Sequence, residues 1–387
     1  MSTGMVNGHG KGYPRQVKIN SITAFHCDTP FKNGFQSPHL LRLSAESIII
    51  HIRFDNGISG YGESAPRPYV TGETITSVAD LMRDHFSRLL LGQEIASVND
   101  IQRTLSSLED ACGTHGIASY LSALGAVDIA LLNALGKSLN ISVSALLGPL
   151  VRDTIPYTLP IPLLPHNVIR ELPRYLAGVE FSAIKVLMEE SVAGNRERIE
   201  LVRSLFGTDA QISVEANGKW TRAQAMENLS ALKGFDITAV EQPVSSGDVD
   251  GLKMIRERTG IPVIVDESMC TLSDAQLLID SGACDMLNIK VSKCGGLLKS
   301  KRIADFALSK GVDFQLGAHV GETNILNRAG QALALVSPNI ARFEGFSSFL
   351  FEDTRGEDSP MRNMNGYDFA EAGIGNHCLR MIHSFDL

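Results

Sequence analysis

Five residues between Lys185 and Lys290 stand out by type and spacing. Each closes a short apolar run: Ala183-Ile184-Lys185, Ile212-Ser213-Val214-Glu215, Thr238-Ala239-Val240-Glu241, Val263-Ile264-Val265-Asp266 and Leu287-Asn288-Ile289-Lys290. Runs this short, apolar and rich in β-branched residues read as buried strands. A charge at the end of a buried strand costs free energy unless it is paired or put to use. The order Lys, Glu, Glu, Asp, Lys is therefore a constellation. Carboxylates on neighbouring strands repel one another unless a cation sits among them. Oxygen ligands without His or Cys suit Mg²⁺, which keeps open positions for water and substrate oxygens. Lysines on either side of a metal-held substrate could take a proton from one face and return it to the other. They could equally take a proton ahead of a departing group. A lysine beside Mg²⁺ in a dry site is expected to have a lowered pKa and to act as a base.

These residues need a scaffold that gathers strand ends. From residue 154 onward, strand-like runs alternate with helical patterns. The strands read as 154–159, 183–187, 211–215, 239–241, 262–266, 286–290, 313–316 and 341–344. Amphipathic helices fit between them, for example at 195–206, 222–232, 274–281 and 297–309. Eight strands about 25 to 30 residues apart are the pattern of a (β/α)₈ barrel, whose chemistry sits at the C-terminal strand ends. An open doubly wound sheet would want a glycine fingerprint after its first strand, which is absent. In the barrel, Glu215, Glu241 and Asp266 end the adjacent strands 3, 4 and 5. Lys185 and Lys290 end strands 2 and 6 and face each other across the mouth.

The expected class is α/β: a (β/α)₈ barrel at 151–346 with an N-terminal α+β capping domain at 16–150. Residues 1–15 read as a disordered tail, and their GHGKG run has no strand before it or helix after it. Residues 347–387 are expected to return to the cap and complete it. Within the cap, strands are expected at 17–25, 47–54 and 58–63, with a turn-rich loop at 29–34. Helices are expected at 74–90, 98–110 and 116–136. The 387 residues are 44% hydrophobic and 20% charged, with net charge -8. That balance argues against nucleic acid or an anionic membrane as partner. An anionic substrate must then meet a local positive cluster. Six scattered cysteines without CxxC spacing suit a reducing compartment. No apolar run reaches the roughly 20 residues of a membrane span and no signal-peptide core is present, so the location expected is cytoplasmic.

Lys185, Glu215-Ala216-Asn217-Gly218-Lys219-Trp220, Val240-Glu241-Gln242-Pro243, Val265-Asp266-Glu267-Ser268 and Asn288-Ile289-Lys290 with Lys293-Cys294-Gly295-Gly296 resemble the enolase superfamily. Within it they resemble the muconate-lactonizing subgroup, which also holds dipeptide epimerases, N-acylamino acid racemases and o-succinylbenzoate synthases. The resemblance covers nearly the whole chain, through Gly373-Ile374-Gly375. It implies Glu215, Glu241 and Asp266 as Mg²⁺ ligands, with Asn217 and Glu267 behind them. It implies Lys185 and Lys290 as the acid/base pair, an ene-diolate formed from a carboxylate substrate, and a cap that selects that substrate.

Three departures qualify this. The family's second lysine, two residues before the strand-2 base, is Ala183 here. Without that neighbouring charge the Lys185 pKa should be lowered less. Glu215 stands where the family mostly has Asp. Glu344-Gly345-Phe346 replaces the Asp-x-Asp with which dipeptide epimerases hold an ammonium. Lys32, Tyr69 (in Arg67-Pro68-Tyr69), His319, Glu322, Glu344 and Phe346 are candidate substrate contacts; turn chemistry and a structural histidine are the competing readings. Trp220 reads as packing, and Cys294 has no base assigned to it. The expectation is a Mg²⁺-dependent racemase or epimerase of an amino acid derivative, forming a homo-oligomer. Cycloisomerisation, β-elimination of water, and a relative that binds ligand without turning it over are the alternatives.

Overall fold

A computed structural model of the chain describes residues 16–36, 41–345 and 378–386. The expected tail at 1–15 and the stretch with Phe346 and Gly373-Ile374-Gly375 lie outside these residues.

Eight parallel strands make one sheet whose spatial order is the chain order: β5 (Thr158–Ile161), β6 (Ala183–Leu187), β7 (Ile212–Glu215), β8 (Ile237–Glu241), β9 (Val263–Val265), β10 (Met286–Ile289), β11 (Asp313–Leu316) and β12 (Ile340–Phe343). Helices wrap the outer face, so the strands are covered on both sides and run almost wholly apolar. A parallel bridge from Tyr157 to Phe343 joins the first strand to the last, and Phe343 N–H donates to Pro156 O at 2.9 Å. The sheet is thereby a nearly closed barrel.

The first barrel strand, read at 154–159, runs Thr158–Ile161 instead, whereas β6 keeps the bounds 183–187 read for it but is not closed by its lysine. β6 continues two residues past Lys185 because Val186 and Leu187 keep the apolar run going. Lys185 pairs with Ser213, whereas Leu187 pairs with Glu215. Lys185 is thus set below the rim and must reach upward. Asp266, Lys290 and Glu344 each lie one residue beyond their strands.

The cap is an antiparallel sheet in the order β13-β1-β2-β3: β1 is Val17–Gln36, β2 Leu41–Phe54, β3 Ser59–Ser64 and β13 Cys378–Asp386; β4 (Glu94–Ile95) also pairs with β1. The loop expected at 29–34 is instead strand. Pro30 still pairs with Ser44, and a register shift before Phe35 absorbs the irregularity. The helix expected at 116–136 starts later and runs Leu121–Leu139, ending at Asn140 in the left-handed conformation (φ 53°). Its length and apolarity would suit a membrane span, but 83% of that stretch is buried inside the protein. It lies directly on β3 because β3 carries glycine there: a Cβ on Gly62 would sit 1.8 Å from Ala126 O.

Two buried carboxylates of the cap end on helix N-termini of the barrel. Glu63, at the end of β3, accepts from Thr323 N (2.8 Å) and Leu326 N (3.2 Å) at the start of Asn324–Leu335. Asp128 accepts from Leu297 N and Leu298 N at the start of Leu297–Ser309. The unpaired N–H groups of a first helical turn favour such acceptors. Asp128 Oδ1, however, has no partner, and burial pushes the Asp128 carboxyl up to about 7 despite those donors.

A raised folded-state pKa favours folding below the unfolded value near 3.8 and loses that contribution as pH climbs through about 7. Asp128→Asn cannot titrate. Its stability penalty relative to the parent should be largest near pH 4–5 and shrink by on the order of a few kcal/mol toward pH 8. Urea unfolding across that range measures it. A penalty that grows with pH would show that the helix end stabilises the ionised form instead.

Candidate active site

Period 2 in the barrel strands decides which side chains meet at the C-terminal end. In β7 it turns Ser213 and Glu215 the same way, in β8 Ala239 and Glu241, and at β10 Asn288 and Lys290. The structure brings all five sequence candidates together, buried between 0% and 7% exposed.

Lys185 Nζ lies 2.8 Å from Glu215 Oε2, 3.3 Å from Glu241 Oε2 and 2.8 Å from Glu344 Oε1. Lys290 Nζ lies 2.5 Å from Asp266 Oδ2. Lys293, which the sequence placed only in a motif, is fully buried with Nζ 2.8 Å from Asp266 Oδ1. Its spacing from Lys290, three residues on in a turn, was the available signal.

Glu241 is held by Asn288 Nδ2 (2.6 Å) and Gln315 Nε2 (2.8 Å) as well as Lys185. Gln315 was missed; a polar residue at an inward position of the short β11 run Asp313-Phe314-Gln315-Leu316 could have flagged it.

The tight carboxylate group differs in one member from the triad read off the strands. Oxygens of Glu215, Asp266 and Glu267 lie within 4.8 Å of one another, while Glu241 is turned to Lys185, Asn288 and Gln315. Asn217 Nδ2 donates to Glu215 Oε1 (2.5 Å) and Glu267 Oε1 (3.4 Å), with Asn217 at φ 47° to aim it back. Glu267 Oε2 is buried without a hydrogen-bond partner.

This donor set fits a hard cation. It is all oxygen, it leaves a buried carboxylate oxygen unsatisfied, and its charge count agrees. Three ammonium groups (Lys185, Lys290, Lys293) and the guanidinium of Arg342, whose field reaches Glu344 and Glu241, face five carboxylates (Glu215, Glu241, Asp266, Glu267, Glu344), so carboxylates outnumber cations and a metal ion would offset the difference.

The electrostatics follow from the same packing. Burial works against the charge on Lys185, but Glu215, Glu241 and Glu344 outweigh it and hold this lysine above the ordinary value. Burial likewise opposes Lys290, and Asp266 overrides it. Among the side chains alone, the nearest carboxylates dominate at both lysines; the lowering expected of a lysine beside Mg²⁺ belongs to the metal-loaded site. Burial would raise Asp266, yet Lys290 and Lys293 keep it well below the usual carboxylate range. Burial, then the charge of Asp266, pushes Glu267 up to about 7.

The outer candidates fall in several places. His319 is 4% exposed, with Nδ1 3.1 Å from Ala65 O and 3.1 Å from Ser292 Oγ. A carbonyl only accepts, so Nδ1 carries the proton and Nε2 is a bare acceptor. Burial, then Lys290, keeps His319 well below the ordinary histidine value. Glu322 Oε1 accepts from His319 N (2.7 Å) and Ser292 Oγ (3.1 Å), so the pair ties the loop after β11 to the cap. Tyr69 is 46% exposed on the cap. Glu344 is engaged by Lys185 and by Gln315 Nε2 (3.3 Å). Lys32 lies on β1, and Phe346 falls outside the described residues. Trp220 packs at 3% exposure and donates Nε1–H to Glu189 O at 2.8 Å. Cys294 is buried, with its thiol pushed up to about 12 by that burial.

Residues 167–376 match the enolase C-terminal domain-like family, and residues 22–148 match the mandelate racemase/muconate lactonizing enzyme N-terminal domain. The N-succinyl-L-Arg/Lys racemase of Bacillus cereus is 28% identical over 330 residues, 85% of this chain and 87% of that protein. The hydrophobic dipeptide epimerase of Enterococcus faecalis is 27% identical over 309 residues, 80% of this chain and 84% of that protein. The crystal structure of the Bacillus cereus racemase superposes with a TM-score of 0.80, covering 87% of this chain and 89% of that one at 28% identity. That of the Enterococcus faecalis dipeptide epimerase, complexed with Mg and the dipeptide L-Leu-L-Tyr, gives 0.79 over 87% and 92% at 26% identity.

Glu267→Gln should weaken Mg²⁺ binding, read by isothermal titration calorimetry, by about tenfold or more. Unchanged affinity would remove Glu267 from the cation cluster.

Proposed function

The chain belongs to the mandelate racemase/muconate lactonizing enzyme family of the enolase superfamily and is an isomerase, and on that premise we propose that it epimerises an amino acid derivative. The reaction is removal and return of the α-proton of a Mg²⁺-held carboxylate. The observation that carries this reading is the placement of two buried lysines around an acidic cluster. Lys185 is on β6 and Lys290 follows β10, four strands apart in the eight-stranded order. Barrel geometry sets such positions across the mouth from each other.

Glu215, Asp266 and Glu267, with Glu241 adjoining, would hold the ion. Mg²⁺ there would draw charge from the substrate's carboxylate oxygens and so ease loss of the α-proton. Lys290, held by Asp266, gives or takes the proton on one face. Lys185 serves the other face. Its three carboxylate partners favour the ammonium form, which suits proton delivery better than abstraction, and Ala183 adds no neighbouring positive charge to oppose that. The cap keeps water from the proton in transit.

The relatives named above act on an N-succinyl amino acid and on dipeptides, and amino acid derivatives are accordingly the class proposed. Glu344 bears on which kind. It is bound to Lys185 rather than free for a substrate ammonium, so an acylated α-nitrogen is favoured over a dipeptide's free amine.

In D₂O, an N-acyl amino acid substrate should gain deuterium at its α-carbon while its optical rotation decays. No exchange with any chiral carboxylate would sink the proposal. Lys185→Ala and Lys290→Ala should each cut exchange about 10²- to 10⁴-fold while Mg²⁺ still binds. Full activity in either variant would refute the two-lysine mechanism.

A further inference from the structure

Arg67 is a buried charge that the chemistry above leaves unused. It lies just beyond β3 and is 5% exposed. Its Nη1 donates to Pro66 O (2.7 Å) and weakly to Glu46 O (3.5 Å), and its Nη2 donates to Val320 O (2.8 Å). Val320 is in the loop after β11, next to His319. A Cβ on Gly321 would lie 3.7 Å from Arg67 Nη2. The guanidinium therefore sits at the C-terminal rim of the barrel, between cap and mouth.

Arg67 makes no ion pair among the described residues. The carboxylates whose field reaches it are all engaged elsewhere. Glu46 lies 2.9 Å from His26 Nε2, Glu63 is taken by Thr323 and Leu326, and Glu322 by Ser292 and the His319 N–H. Arg67 Nε is buried with no hydrogen-bond partner, and Nη2 has two protons for its one acceptor.

Nε–H and Nη2–H form the edge with which a guanidinium grips a carboxylate at two points. This protein uses that edge elsewhere: Arg83 Nε and Nη2 each donate to Asp84 at 2.7 Å. At Arg67 the same edge is half empty. A second guanidinium, Arg42 of β2, is close enough that burial and then the charge of Arg67 hold it down at about 10. Beside them Phe31, Ala45 and Val320 make a small apolar wall separate from the main core. Two crowded cations behind an apolar wall suit a short carbon chain ending in an anion.

We propose that Arg67, aided by Arg42, binds a second carboxylate of the substrate, so that the enzyme prefers dianionic amino acid derivatives. One carboxylate goes to the acidic cluster and its cation. The other, at the end of an acyl group or side chain, goes to the cap. This rests on the isomerase reading above. It also supplies the local positive charge that an anion needs against a net charge of -8.

The test compares α-proton exchange in D₂O for matched pairs that differ only in the distal group, such as N-succinyl against N-succinamoyl amino acids. The carboxylate member should win by about 10- to 100-fold in kcat/KM, mostly through KM. Arg67→Gln and Arg42→Gln should each pull that ratio toward one. The ratio is internal to each variant, so a loss of folded protein does not mimic it. A ratio near one in the unaltered enzyme overturns the anion site while leaving the isomerase reading intact. A large ratio that persists in both variants places the second carboxylate elsewhere and also overturns it. If neither member of a pair exchanges, the isomerase reading fails. Calorimetric Kd values for the same pairs in Mg²⁺ then decide the anion site by the same ratio.

Discussion

Carboxylates packed side by side out of water destabilise a fold by several kcal/mol apiece unless opposite charge is interleaved with them. Five carboxylates share one end of this barrel, and the arrangement around them answers that constraint. Lys185 comes up from below the rim between Glu215, Glu241 and Glu344, while Lys290 and Lys293 flank Asp266. Asn288 and Gln315 satisfy Glu241 with neutral donors, so no further cation is needed there. What remains is a negative excess localised at Glu215, Asp266 and Glu267, which a divalent cation would offset. Rigid strands matter for this purpose, because like charges held on flexible loops would move apart.

The same requirement explains what could be read from the chain. Charged residues that interrupt short β-branched runs are rare enough, and regular enough here, to reveal the barrel and its five inward groups. Lys293 and Gln315 were harder because each looks ordinary locally: a lysine in a turn, a glutamine in a short strand. Their importance comes from a partner 27 or 74 residues away. Glu267 was seen as a neighbour of the ligands, but its closeness to Glu215 depends on the turn after β9. The extension of β1 through Pro30 escaped for the opposite reason. Turn-forming residues there are overridden by pairing with β2.

Cap and barrel are joined by chemistry that also bears on the mouth. Glu63 and Asp128 each end on a barrel helix, and those helices begin a few residues after His319 and Lys290. The cap thus fixes the loops of strands β10 and β11 from the outside, while Arg67 fixes the rim at Val320. On the proposed reading, substrate choice and proton transfer would be borne on neighbouring stretches of one rim.

The pairing of β13 with β1 has a consequence for biosynthesis. The first long strand of the cap keeps one edge open until Cys378–Asp386 arrives to cover it, and that segment is made only after all eight barrel strands. An unpaired edge strand is a template for other chains. During synthesis, the interval between emergence of β1 and emergence of β13 therefore leaves that edge open to mispairing.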